Sequence, residues 1–278
     1  MPSKMKAWQG FKASVNLAYF RLSGRRPWAR GYNEYKWAHL RGVLRDSGFD
    51  PEQLPPGYGL RLDERIIEYP WFISRLPAAS GVLLDAGSVL NYEFLLTLPK
   101  LSGKKMFVST LAPEASSFNQ LGVSYVYEDL RSSCFRSEYF DWVACLSTIE
   151  HVGLDNTRLY TDDATKRESA PASHLEVVAE LKRVLKPNGV LYLSMPFGRH
   201  ENHGWFQIFD GPMVDRVIER FAPREVREVQ FRYTEQGWMP SCRTASKDAD
   251  YFDIHSAKGY APDYAAASRA VVCLELSK

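Results

Sequence analysis

The sequence predicts a doubly wound α/β fold whose central sheet is mostly parallel. From residue 79 onward, short apolar runs alternate with segments of helical periodicity. The apolar runs are continuous and do not alternate with polar residues, which is typical of strands buried on both faces of a parallel sheet. Strands and helices that alternate along the chain favour parallel neighbours joined by right-handed crossovers.

Five strands and one well-defined helix are predicted in the first part of this region. The first four strands lie at residues 82–84, 105–109, 123–127 and 140–146. A helix with one apolar face follows at residues 175–186, and Ser173 and Glu176 have the spacing of a capping box at its start. The Pro187-Asn188-Gly189 turn ends this helix, and residues 190–194 are predicted as the fifth strand.

The remaining elements predict an antiparallel edge at the end of the chain. A helix follows Asp210, and strands are predicted at residues 225–233 and 269–276. Because the loop between these two strands carries no helical pattern, we expect them to pair antiparallel.

Residues 1–78 differ from the rest and are predicted to form a basic, mostly helical N-terminal extension to the domain at residues 79–278. Residues 1–45 contain ten Lys or Arg and one acid, Glu34, a net charge of +9 that leaves −7 for the rest of a chain of +2. Apolar residues recur there at helical spacing: Trp8, Phe11, Val15, Ala18 and Leu22. The charge predicts contact with an anionic partner, such as an anionic membrane surface. A solvated helix face is the alternative.

Composition excludes several classes of protein. No run of about 18 apolar residues is present, so no membrane-spanning helix is expected. The N-terminus lacks the apolar core of a secretory signal, and the four cysteines form no C-x-x-C pair. We therefore expect a cytoplasmic protein with reduced thiols, and a peripheral membrane location stays open because of residues 1–45.

The motifs that carry a function follow the predicted strands. Asp85-Ala86-Gly87-Ser88 comes after the first strand, Glu128-Asp129-Leu130-Arg131 after the third, and residues 140–152 read F-D-W-V-A-C-L-S-T-I-E-H-V. Residues 180–194, E-L-K-R-V-L-K-P-N-G-V-L-Y-L-S, are the most specific. In this order the motifs resemble the class I S-adenosylmethionine-dependent methyltransferases, especially the small-molecule and sugar-type group. The resemblance covers residues 79–220 and implies a Rossmann-like fold and S-adenosylmethionine as cofactor.

The resemblance also implies roles for individual residues. Asp85 and Gly87 would hold the methionine end of the cofactor, and Ser147 would lie beside the sulfonium. Asp129 would accept a hydrogen bond from the adenine amino group, and Leu130 would pack nearby.

Two positions depart from the family pattern. Thr110 stands where an acidic residue usually binds the ribose hydroxyls, so it can pair without charge. Val89 and Asn91 stand where further glycines are common. These departures predict modest cofactor affinity, or a contact supplied by the extension.

The loops after the fourth and fifth strands would face the reacting methyl group. They contain Glu150, His151 and His203, which are candidates for the base that removes a proton from a hydroxyl acceptor. The same three residues are ligand types that suit a divalent metal ion. The Glu-His pair resembles that of metal-assisted methyltransferases, although Ser147 stands where those carry another glutamate.

The function expected from these patterns is O-methylation of a sugar, a glycan or a glycosylated metabolite, a small-molecule or glycan substrate. A non-catalytic binding protein of the same fold is the alternative. An RNA 2′-O-methyltransferase is a third reading, but no standard RNA-reading motif is present, so a nucleic-acid partner is not expected. A dehydrogenase is disfavoured because G-x-G-x-x-G is missing.

Overall fold

The computed structural model describes the backbone of residues 2–45, 49–161 and 163–278, and their side chains at Trp8 and from residue 10 onward. In this part of the chain, eight strands form the central sheet. They are β1 (Val82–Ala86), β2 (Lys105–Thr110), β3 (Val123–Tyr127), β4 (Phe140–Leu146), β5 (Leu185–Pro196), β8 (Glu225–Thr234), β9 (Gly237–Ser241) and β10 (Ala270–Ser277). The short strands β6 (Glu201–Asn202) and β7 (Gln207–Ile208) pair separately.

The strand order in the sheet is β3-β2-β1-β4-β5-β10-β8-β9. Strands β1 to β5 are parallel, whereas β10 pairs antiparallel with both β5 and β8, and β9 pairs antiparallel with β8. The predicted parallel core with an antiparallel C-terminal edge is therefore confirmed. The order reverses beside β1, and in such sheets ligands bind at the carboxyl ends of the strands near this point.

Helices cover both faces of the sheet. They are α1 (Pro2–Leu22), α2 (Tyr32–Arg45), α3 (Arg65–Arg75), α4 (Glu93–Leu96), α5 (Pro99–Ser102), α6 (Thr157–Tyr160), α7 (His174–Val184), α8 (Gly211–Phe221) and α9 (Arg243–Ser246). One apolar core lies between the sheet and α1 to α5, and the other lies between the sheet and α7 and α8. A core on each face explains why the strands read as continuous apolar runs.

The N-terminal extension is helical, as its periodicity predicts. Helix α1 packs against α2, and α2 packs against α3. Ile66, Tyr69 and Phe72 of α3 are buried in the same core as Leu83 of β1. The boundary between the extension and the α/β domain at residue 78 stays a prediction. Helix α3 packs directly on the sheet, so the two parts share one apolar core. Within the described residues, no helix combines the length and apolarity that crossing a membrane requires.

Two local details differ from the sequence prediction. The capping box is wrong: Ser173 belongs to a 3₁₀ turn and its side chain makes no capping bond at the start of α7. Helix α7 ends at Val184, and Leu185 is already extended because it pairs with Phe140 of β4. By contrast, the Asp210 side chain caps α8 by accepting a hydrogen bond from Met213 N at 2.9 Å.

Candidate functional site

A cavity of about 410 Å³ lies at the carboxyl ends of β1, β2, β3 and β4; we call it cavity A. The loops after these four strands contribute Gly87, Thr110, residues 128–131 and residues 151–154 to its wall. The polar loop around α6 closes it with residues between 156 and 168. A cavity of this volume holds a small molecule or a cofactor.

Gly87 allows two loops of cavity A to approach each other closely. Its φ is +113°, and a Cβ at this position would lie 2.3 Å from Thr148 Oγ1 and 2.5 Å from Thr148 Cγ2. Its N–H donates to Ser109 O at 2.9 Å. Both the backbone conformation and the space therefore require glycine here.

Asp85 organises the loop that follows β1. Its carboxylate is fully buried and accepts hydrogen bonds from Val89 N at 3.1 Å and Leu90 N at 2.8 Å. Burial raises its pKa to about 7, although these two bonds act in the opposite direction. Asp85 does not line cavity A. In this geometry it positions the loop that carries Gly87, and its direct contact with the methionine end of the cofactor stays a prediction.

The part of the wall of cavity A that the loops after β2 and β3 form combines an apolar surface with polar groups. Leu130 is nearly buried, and the Thr110 hydroxyl is buried without a hydrogen-bond partner among the described residues. Asp129 is paired with Arg131, whose Nε lies 3.0 Å from both carboxylate oxygens. Arg131 also bonds Glu168 at 2.8 Å, which ties the loop after β3 to the loop around α6. Burial raises the pKa of Asp129, but the bonds from Arg131 outweigh it and the pKa is lowered.

A second cavity of about 220 Å³ lies beside the first; we call it cavity B. His151 lines both cavities. The aromatic part of its wall consists of Trp28, Trp205, Phe206 and Tyr251, and the charged part of Lys36, Asp63, Glu64, Arg65 and Glu150. The N-terminal extension thus supplies much of the wall, together with the loops after β4 and β5 and the segment before β10.

His151 is held in one tautomer. Its Nδ1 lies 2.9 Å from Trp205 O. Because a carbonyl oxygen can only accept, Nδ1 carries the proton and Nε2 carries the lone pair. Burial lowers the pKa of His151 to about 4, so the ring is neutral at neutral pH. The arrangement leaves a proton-accepting nitrogen on a side chain that lines both cavities.

Two carboxylates in and behind the wall of cavity B are paired within the protein. Lys36 Nζ lies 2.6 Å from Asp63 Oδ2, and Arg65 Nη1 lies 2.7 Å from Glu68 Oε2. Glu68 also accepts hydrogen bonds from Ser194 Oγ at 2.6 Å and from the Ser147 hydroxyl. Buried carboxylates are stabilised by such partners.

Residues 105–193, which include β2 to β5, match the family model of the methyltransferase domain. The match covers the loops after β2, β3 and β4, which form most of the wall of cavity A. Residues 105–193 therefore carry a methyltransferase domain, in a Rossmann-like sheet of the kind that S-adenosylmethionine-dependent methyltransferases have. No curated protein matches the chain in sequence.

Solved structures of low sequence identity resemble this methyltransferase. One is an S-adenosylmethionine-dependent methyltransferase of Thermotoga maritima, described as a possible histamine N-methyltransferase, with 14% identity and a TM-score of 0.44. The similarity covers 90% of this chain and 96% of that one. Another is the 1,6-didemethyltoxoflavin N1-methyltransferase of Burkholderia thailandensis, with 15% identity, a TM-score of 0.45, and coverage of 88% and 90%.

The residues of cavity A fit S-adenosylmethionine. The unpartnered Thr110 hydroxyl is available for a ribose hydroxyl, and Leu130 offers an apolar surface for the adenine ring. Gly87 contributes backbone alone to the wall of the cavity. Asp129 keeps an ionised carboxylate at the cavity wall, although Arg131 already occupies part of it.

The structure separates His203 from the other two predicted catalytic residues. Its ring is stacked on Phe206 at 4.4 Å and lines neither cavity. No group of three His, Cys, Asp or Glu that could hold a metal ion occurs among the described residues of the methyltransferase. The metal site expected from Glu150, His151 and His203 is therefore not supported, because His203 packs as an aromatic ring and His151 Nδ1 is used by Trp205.

Ser147 lines cavity B and not cavity A, since its hydroxyl is bonded to Glu68 of α3. Sequence reasoning missed the residues that the extension supplies to the methyltransferase, namely Trp28, Lys36, Asp63, Glu64 and Arg65. One signal was available: Glu68 is a charged residue inside an apolar run that includes Ile66, Ile67 and Trp71, and it follows the charged Asp63-Glu64-Arg65. Charges on the buried face of a helix indicate a polar site.

Proposed function

We propose that this methyltransferase transfers a methyl group to a hydroxyl oxygen of a small, carbohydrate-like acceptor bound in cavity B. The observation that carries the proposal is the position of His151, which lines both the cavity suited to the cofactor and the neighbouring one. S-adenosylmethionine, when bound, supplies an electrophilic methyl group on a positively charged sulfur. The protein then has to position the acceptor oxygen and remove its proton.

The neutral, proton-accepting state of His151 favours oxygen as the atom that accepts the methyl group. A hydroxyl is a weak nucleophile until its proton leaves, and the neutral Nε2 of His151 can take that proton. An amine nitrogen, once neutral, attacks with its own lone pair and needs no base in the transition state. A buried histidine with a fixed tautomer is therefore of greater use to an O-methyltransferase.

The walls of cavity B support a small polar acceptor. Its volume of about 220 Å³ lies below the ~300–1,000 Å³ typical of sites for drug-sized ligands. Four aromatic side chains can pack against the C–H faces of a sugar ring, and the charged groups beside them can bond its hydroxyls. These features favour a single sugar unit over a nucleotide within an RNA chain.

Two measurements test the proposed activity. Isothermal titration calorimetry should detect one S-adenosylmethionine per chain, with loss of affinity when Leu130 is replaced by Asp. Cofactor with a labelled methyl group should then label monosaccharides or sugar nucleotides in a panel of acceptors. Cofactor binding without transfer to any hydroxyl compound would favour a binding protein of this fold. Label on nitrogen alone would contradict an O-methyltransferase.

We also propose that α1 attaches the protein to an anionic membrane surface. Five apolar residues at spacings of three or four form one exposed stripe: Trp8, Phe11, Val15, Tyr19 and Leu22, with exposed fractions from 43% to 89%. Asn16 and Phe20, on another face of the helix, are buried. Lys12, Arg21, Arg26 and Arg30 are exposed in the same region. An apolar stripe flanked by bases suits the interface of an anionic bilayer.

Vesicle co-sedimentation should reveal this attachment. We expect binding to vesicles that contain phosphatidylserine, weak binding to phosphatidylcholine alone, and release at high salt. Replacing Trp8 and Phe11 together by Ser should lower binding by about tenfold or more, whereas Ser14→Ala, exposed on the same helix off the stripe, should not. Equal binding to both vesicles would contradict the proposal. So would a dimer in solution that the Trp8/Phe11 double variant breaks, since the stripe would then join two copies of the chain.

A further inference from the structure

Cavity B contains two carboxyl groups that are not in an ion pair with any cation of the described residues. Its wall and the layer behind it hold Asp63, Glu64, Glu68 and Glu150, but only two cations, Lys36 and Arg65. Lys36 is paired with Asp63, and Arg65 is paired with Glu68. Glu64 and Glu150 form no salt bridge with any described residue.

Glu150 is the more buried of these two residues. Only 3% of its surface is exposed, and its Oε2 has no hydrogen-bond partner among the described residues. It lies in a 3₁₀ turn directly after β4 and lines cavity B next to His151. Burying a carboxyl group without a partner lowers the stability of the fold. Its presence in the wall of a cavity therefore needs a functional explanation.

Glu64 is the second unpaired carboxyl group in this wall. Its side chain accepts one long hydrogen bond, from Ser268 N at 3.3 Å. Burial, with Asp63 and Glu68, raises its pKa to about 7, although Arg65 acts in the opposite direction. The protein therefore keeps a second carboxyl group on the same cavity with little stabilisation of its charge.

Aromatic rings share the wall of cavity B with the two carboxyl groups. Trp28, Trp205, Phe206 and Tyr251 line the same cavity. The face of an aromatic ring attracts a cation, and a cage of rings beside carboxylates is a common way to bind an ammonium group. A neutral sugar would use the rings but would leave both carboxyl groups without a counter-ion.

We infer that the acceptor of this enzyme is a cation, and that its amine binds between Glu64 and Glu150 against the aromatic wall of cavity B. The inference rests on the proposed function, since it places the acceptor in cavity B. It narrows the substrate class to compounds with both a hydroxyl and a basic amine, such as an amino sugar. The amine anchors the molecule, and the hydroxyl faces His151.

The first experiment measures the effect of Glu150 on stability as a function of pH. Burial raises the pKa of Glu150 well above its usual range, so the free protein is stabilised below the unfolded pKa and loses that stability as pH rises. The groups that face it are Arg65 and Glu68 of α3, Glu64 directly before that helix, Cys145 of β4, Tyr251 and the neighbouring His151. Glu150→Gln should raise Tm by about 2–4 °C at pH 8 and change it little at pH 5.

The second experiment measures recognition of a cation without any catalysis. Protein saturated with S-adenosylhomocysteine is titrated with tetramethylammonium or with tert-butanol, a neutral molecule of similar shape, and binding is followed by NMR. We expect tetramethylammonium to bind at least about tenfold more tightly than tert-butanol, and Glu150→Gln to abolish that preference. Glu225→Gln, at an exposed position, is the control for the change in net charge.

Three outcomes would overturn the inference: equal binding of the two probes, unchanged cation binding in Glu150→Gln, or a lower Tm of this variant at pH 8. The last result would mean that the carboxylate has a stabilising partner within the protein. If Glu150→Gln does not fold, Glu64→Gln gives the same two readouts. Because neither readout requires methyl transfer, a failure here is distinct from failure of the proposed activity, which cofactor binding and label transfer test separately.

Discussion

Replacing His151 by Ala is expected to lower the rate of methyl transfer by ~100-fold or more, the usual contribution of a general base. His151 lines both cavities, its Nδ1 is bonded to Trp205 O, and no other described histidine lines either cavity. S-adenosylmethionine affinity should change by less than about threefold, because the imidazole is needed for proton removal and not for the cofactor. Single-turnover transfer of a labelled methyl group and calorimetry separate these two quantities.

His200 provides a matched control for His151. Its Nδ1 lies 2.8 Å from Ile208 O, the same kind of contact that His151 makes with Trp205, but it lines neither cavity. His200→Ala should therefore retain nearly full turnover. If His151→Ala and His200→Ala are equally active, the base lies elsewhere, and Glu150 becomes the next candidate.

The pH dependence of the rate and of the stability tests the role of His151 independently. Burial lowers the pKa of His151 to about 4 in the folded protein, below its ordinary value near 6.5. The neutral, active form of His151 therefore predominates down to about pH 5, and its titration should cause no change in the rate at saturating acceptor between pH 5 and 8. Stability should fall as pH drops from about 6.5 towards 4, because the unfolded chain takes up this proton first. A midpoint of activity near 6.5 would indicate a solvated histidine instead.

The fold could be predicted from the sequence because each face of the sheet has its own core. Residues buried on both sides produce the continuous apolar runs, and the predicted bounds of β4 agree with the structure at both ends. Strands β6, β7 and β9 were missed because they are short and carry polar residues. Ser173 has the spacing of a capping box but lies in a 3₁₀ turn, and its side chain makes no capping hydrogen bond to the helix.

The residues that line cavity A could be predicted from the sequence for a geometric reason. The carboxyl ends of parallel strands meet at one edge, so motifs that follow β1, β2, β3 and β4 converge whatever their separation in sequence. Gly87, Thr110, Asp129 and Leu130 do line this cavity. Asp85 does not, because both of its oxygens satisfy the backbone of its own loop, and a spacing motif does not distinguish that role from direct contact.

Cavity B could not be predicted in the same way. Its wall joins Lys36, Glu64 and Tyr251, which come from three distant parts of the chain. No periodicity or spacing links them; only the packing of α2 and α3 over the sheet brings them together. The basic character of residues 1–45 indicated an external partner, yet some of these residues face inward: Lys36 is 5% exposed and paired with Asp63.

Replacing Gly87 by Ala is expected to weaken S-adenosylmethionine binding by ~100-fold, which corresponds to about 2.7 kcal/mol. The new Cβ would lie 2.3 Å from Thr148 Oγ1, so either the loop after β1 or Thr148 must move. Both Gly87 and Thr148 line cavity A, and each of these movements therefore changes the shape of the cavity. The dissociation constant from calorimetry and the Tm of the free protein measure the two consequences.

Gly122 separates the steric effect from the backbone effect. Its φ is +79°, also unfavourable for alanine, but no atom lies within 4 Å of the position that a Cβ would take. Gly122→Ala should cost about 1 kcal/mol or more of stability and leave cofactor affinity unchanged. Thr148→Ala in the Gly87→Ala background removes the two closest atoms and leaves Thr148 Cβ at 2.9 Å, so it should restore affinity only in part. If Gly87→Ala binds the cofactor as tightly as the unmodified protein, the close approach of these loops does not shape the cofactor site.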